Sequence, residues 1–134
     1  MIFTFDILNK WDYSIPMPAN TRTKEVLERY NIFKKELVES NITINDYVLH
    51  KYLKSKQYSL DLNTFPYNIP NNMKHYVLWI HPNYKKLLTN KKLSDILTTN
   101  MQKLGYNEYI CFENHIACKT VLGILHYQVF FHTC

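Results

Sequence analysis

His126, Gln128 and His132 alternate with Tyr127, Val129 and Phe131 in the run GILHYQVFFHT, residues 123–133. Side chains two apart in an extended strand share a face, so the run sets a polar row against an apolar one. The same parity splits HYVLWIHP, residues 75–82, into Tyr76, Leu78 and Ile80 against His75, Val77, Trp79 and His81. In NEYICFEN, residues 107–114, Ile110 and Phe112 oppose Cys111 and Glu113. If the three apolar rows pack together under helices, the other sheet face collects His75, Trp79, His81, Cys111, Glu113, His126, Gln128 and His132.

Histidine titrates close to neutral pH, which suits it to proton transfer. His126 with Glu113 would supply an acid–base pair, Trp79 an apolar wall, and His75 and Gln128 polar contacts to a small molecule. Each of these residue types also occurs on ordinary wet sheet faces, and the shared parity of three strands is what marks them as a candidate site. No metal is assigned, because nothing in the spacing of the histidines fixes a ligand geometry. Cys111 lies mid-strand among apolar residues and reads as an inert packing thiol. The chain has no Gly-rich phosphate loop, G-x-S-x-G, H-E-x-x-H or Cys-x-x-Cys motif, which disfavours most motif-defined enzyme classes. The residues name no cofactor, and hydrolysis is the reaction class they would serve.

The elements that must position these residues are legible from periodicity. Val26, Tyr30, Phe33 and Leu37 recur at helical spacing within residues 22–40, predicting an amphipathic helix whose stripe packs on the apolar sheet face. Thr43 and Asp46 resemble a capping pair ahead of a second helix over residues 45–54. Leu93, Ile96, Leu97, Met101 and Leu104 predict a third, ended by Gly105 in a left-handed conformation. Residues 2–7 alternate like a short strand inside an irregular arm that runs to residue 21. Residues 55–73, rich in Pro and Asn, read as a long surface loop. The prediction is one α+β domain over 1–134, with a small mixed or antiparallel sheet and its helices on one face.

With 134 residues and 46% hydrophobic composition, the chain suffices for a single core. The formal charge of +5 permits phosphate-rich partners, but the lysines are scattered, so nucleic-acid binding is expected to be weak and not sequence-specific. No apolar stretch approaches the roughly 20 residues that span a bilayer, which predicts no membrane anchoring. Three cysteines without paired spacing and no signal-peptide pattern predict a reduced intracellular compartment. The Lys-, Asn- and Ile-rich usage is that of AT-rich coding DNA and is compatible with a large DNA virus.

YNIPNNMKHYVLWIHP and the later CFENHIACKTVLGILHYQVFF resemble the N-acetylglucosamine-induced protein family, a fungal and large-DNA-virus domain of unknown function. The resemblance covers about residues 67–131. His75 and Trp79 stand for the family's His-Tyr-x-x-Trp strand, and Phe112 and Asn114 for its Phe-x-Asn segment. Lys119, Thr120 and Val121 stand for a Lys-Ser-Val stretch, and His126, Val129 and Phe130 for a His-x-His-Val-Phe strand in which Gln128 replaces the second histidine. The resemblance adds Asn114 and Lys119 to the ligand-binding set and brings no reaction with it. Three readings follow: binding of a small polar ligand, sugar- or nucleotide-like; interaction with nucleic acid or a protein; and homo-oligomerisation through the Trp79 face.

Overall fold

The structure is a computed structural model that describes residues 1–115, 121 and 123–133. Its helices are α1 (Phe5–Lys10), α2 (Lys24–Glu39), α3 (Ile44–Lys51) and α4 (Asn90–Leu104). Its strands are β1 (Tyr58–Leu62), β2 (Met73–Ile80), β3 (Glu108–Phe112) and β4 (His126–His132). The strands form one antiparallel sheet in the order β1-β2-β4-β3, so the fold is α+β.

Local chemistry accounts for the helix ends. Thr4, Thr23, Thr43 and Thr89 each accept a backbone N–H with the side chain at the start of α1, α2, α3 and α4, satisfying donors that the first turn leaves without partners. Gly105 ends α4 with φ of 84°, as its position in the sequence predicts. Two elements depart from expectation. Residues 5–10 are helical because the Thr4 cap, with Asp6 in the first turn and Lys10 in the last, outweighs the alternation of residues 2–7. Residues 58–62, expected in the loop, form edge strand β1. Tyr58, Leu60 and Leu62 alternate there with Ser59 and Asp61, a half-buried pattern that the prolines further on obscure.

The register corrects two other expectations. Gln128 pairs with both Val77 and Phe112, and Phe130 with both His75 and Ile110. Paired residues project to the same side of a sheet, so Ile110 and Phe112 share the face of His75, Trp79, His126 and Gln128, while Cys111 pairs with Val129 on the other face. With apolar residues on both faces, helices cover both rather than one. α4 packs Ile96 and Leu97 on Leu78, Ile80, Val129 and Phe131. The histidine-bearing face is covered at one end by α1, with Leu8 against Met73, Ile110, Phe112 and Phe130. At the other end α3 packs Val48 with Val121 and Ile124, beside Trp79. The Asn45 side chain packs directly against Gly123 there, in the space a Cβ would take.

α2 also differs from expectation. Only Leu37 of its stripe is buried, and its aromatic residues meet other helices and loops rather than the sheet. Tyr30 and Phe33 pack on Phe65 with ring centroids at 5.0 and 5.3 Å, and Phe33 meets Tyr47 edge-on at 5.0 Å. The helix stands off the sheet and leaves a gap beneath it.

Candidate functional site

That gap is a partly open cleft of about 140 Å³ between the two helical caps of the histidine-bearing face. Val77 and Trp79 of β2, paired with Gln128 and His126 of β4, form its floor. Tyr30 and Phe33 of α2, Tyr47 of α3, and Tyr52 and Phe65 form aromatic walls. Arg22, Asn63 and Asn114 add polar groups at the rim.

His75 stands two residues from Val77 along β2, on the same face beside this floor, and is buried. Its Nδ1 accepts the Tyr67 backbone N–H at 3.1 Å, so the ring proton must sit on Nε2. Nε2 then donates to Gln128 Oε1 at 2.6 Å. Asn63 Nδ2 stands 3.4 Å from the same nitrogen, a contact between two donors rather than a second bond. Burial pushes the His75 pKa down from the ordinary 6.5 to about 3, with the nearby Arg22 charge acting in the same direction. His75 is therefore neutral and positions Gln128. Oε1 holds this bond, and the Gln128 amide nitrogen is the donor end of the side chain.

His126 is also buried. Its Nδ1 lies 2.9 Å from the Ile124 carbonyl oxygen, which can only accept, so Nδ1 carries a proton. Its ring tilts against Trp79 at 5.0 Å, and Trp79 stacks on Tyr52 at 5.4 Å. Asn114 accepts the Tyr67 hydroxyl at 3.3 Å through Oδ1, which ties the segment after β3 to the loop before β2.

Residues 14–132 match a family described as Protein of unknown function (DUF3605). The chain belongs to this family. Among proteins similar to this DUF3605 member is N-acetylglucosamine-induced protein 1 of Candida albicans, 22% identical over an alignment covering 81% of this chain and 59% of that protein. The chain thus spans less than two thirds of that relative's length. The crystal structure of HTC1 is similar with a TM-score of 0.59 at 21% identity, covering 86% of this chain and 77% of that one, a likeness of fold.

Of the residues expected to form a site in this DUF3605 chain, Trp79, Asn114, His126 and Gln128 line the cleft, and His75 stands beside it. Lys119 lies outside the described residues. Glu113 is exposed and follows β3 toward the side of Tyr127, whose phenol pKa is raised by burial and by the Glu113 charge. The register, continued one residue past β3, sets Glu113 opposite Tyr127. Two further histidines, His81 and His132, stand at strand ends. His132 stacks on Phe5 at 4.7 Å and lies 3.5 Å from Glu108 at the far end of β4, while His81 accepts the Asn83 N–H beyond β2. Among the described residues, no three His, Cys, Asp or Glu side chains group as metal ligands, and no helix is long and apolar enough to cross a membrane. Sequence reasoning missed Arg22, Tyr30, Phe33, Tyr47, Tyr52 and Phe65. The clustering of aromatic residues along α2 and α3 was the available signal.

Proposed function

We propose that the chain binds a small polar molecule with a ring body, a sugar or nucleoside, in the cleft over Val77 and Gln128. The observation that carries this reading is the His75–Gln128 pair. A buried, neutral histidine holds one amide in one orientation at the bottom of an aromatic-walled concavity, and a merely solvated sheet face needs no such backing. The Gln128 amide donates to the ligand, His126 borders it, and Trp79 with Tyr52 supplies the apolar wall against which a sugar or base rests. The described lining contains no carboxylate, so the reading is binding rather than hydrolysis. The Candida albicans relative is named for induction by N-acetylglucosamine, which makes amino sugars the first ligands to try.

The test is an NMR titration with N-acetylglucosamine, glucose and adenosine, following the Gln128 side-chain amide and the Trp79 indole. Saturable shifts at both are expected, with the Trp79 shift lost in Gln128→Leu. Shifts confined to residues outside the cleft, or none with any ligand, overturn the proposal.

A further inference from the structure

Arg22 is the one charged side chain among the described residues that line the cleft. Its Nε donates to the Phe65 carbonyl at 2.7 Å, and its guanidinium lies 4.8 Å from the Tyr30 ring centroid and 5.4 Å from that of Tyr67. These contacts use one of five N–H donors and the flat faces of the group. They fix the plane of the guanidinium and leave its terminal nitrogens, the fork that matches a phosphate or carboxylate, without a carboxylate partner among the described residues. His75 beside it is neutral, so no second cation shares the role.

A half-buried cation is costly without a counter-charge. A structural clip between the start of α2 and the 63–65 loop would be served equally well by Arg22 with a carboxylate on its fork. We infer that Arg22 supplies the anion subsite of the cleft, so that the ligand is a small ring-bearing molecule carrying a phosphate or carboxylate. This inference rests on the cleft reading above and narrows its ligand class. The ring lies toward Trp79 and the anionic group toward Arg22, with Gln128 between them.

The experiment compares matched ligands by calorimetry: glucose with glucose 6-phosphate and glucuronate, and adenosine with AMP. The anionic member of a pair is expected to bind at least about tenfold more tightly, the gap narrowing as NaCl is raised. The phosphate and carboxylate arms identify which anion the fork takes. Arg22→Gln should close the gap, bringing the anionic ligand down to the affinity of its neutral partner measured on the same variant. Arg22→Lys, which keeps charge without the fork, should retain only part of the gap, and with the wild-type salt dependence it decides the matter should Arg22→Gln fail to fold. Equal binding of both members overturns the anion subsite while the cleft reading stands. A gap that persists undiminished in both variants assigns the anion to another residue and overturns the role of Arg22. Absence of binding by every ligand overturns both.

Discussion

His75 donates to Gln128 across the β2–β4 pair at 2.6 Å, beside the floor of the cleft, with both side chains buried. The bond joins the two features that the sequence suggests independently, a histidine before the Trp79 strand and a glutamine in the last strand. It also makes His75 a reporter of the fold. Its other nitrogen accepts the Tyr67 N–H, and its ring stacks on Phe130 at 4.1 Å, so a proton can be added only by breaking packed contacts.

Stability should therefore depend on pH through this group. The folded pKa of about 3 lies below the ordinary 6.5, so the unfolded chain binds the proton more readily. Stability contributed by the neutral ring is present above pH 6.5 and declines as pH falls toward 3. Between pH 7 and 5 this one site should cost about 2 kcal/mol, seen as a lower urea midpoint. His75→Phe should remove that component of the slope. It should also lower stability at pH 7, by about 1–3 kcal/mol for each of the two bonding partners left unsatisfied. A slope unchanged in His75→Phe would show that His75 is not the titrating group.

Phe33 should matter less to folding than its place in an amphipathic stripe suggests. It is half-buried and touches Phe65 and Tyr47 rather than the sheet. Phe33→Ala should cost about 1–2 kcal/mol, below the 3–5 kcal/mol of a fully buried phenylalanine. The same variant should weaken ligand binding, since the ring lines the cleft. Chemical denaturation gives the first value, and a loss above about 3 kcal/mol would place α2 in the core.

What the sequence disclosed and what it hid have a common physical origin. Period and parity report which residues of one element share a face, and His75, Trp79, His126 and Gln128 do share one. They do not report how one strand is set against another. β3 therefore came out inverted: Ile110 and Phe112 look like the row that pairs with Leu78, yet they sit beside His75 and Gln128. The apolar stripe of α2 was equally legible and equally ambiguous, because Tyr30 and Phe33 satisfy an amphipathic pattern whether they meet a sheet or wall a cleft. Arg22 carried no signal at all, since its role comes from contacts with Phe65 and Tyr67, more than forty residues away.

Cys111 should resist modification. Burial on the α4 side pushes its thiol pKa from 9.0 up to about 12, leaving almost no thiolate at pH 8. Iodoacetamide should label the peptide containing Cys111 slowly in native protein and rapidly in urea, as read by mass spectrometry. Fast native labelling would contradict the pairing of Cys111 with Val129 on the helix-covered face.

The two faces of β4 should respond in opposite ways to substitution. Val129 is fully buried beneath α4 and pairs with Tyr76 and Cys111. Val129→Asp puts a carboxylate where no described cation packs, so the change should exceed about 4 kcal/mol and abolish the folded state. His126 is nearly as buried, at 5% exposure, but it borders the cleft, where water can occupy the space a smaller side chain leaves. His126→Ala gives up the bond to Ile124 and the contact with Trp79, and should cost only about 1–2 kcal/mol. Its amide NMR spectrum should stay dispersed, with changes concentrated at Trp79, Gln128 and neighbouring residues of β4. A dispersed spectrum for Val129→Asp, or a collapsed one for His126→Ala, would mean that the core and cleft faces of this strand have been exchanged.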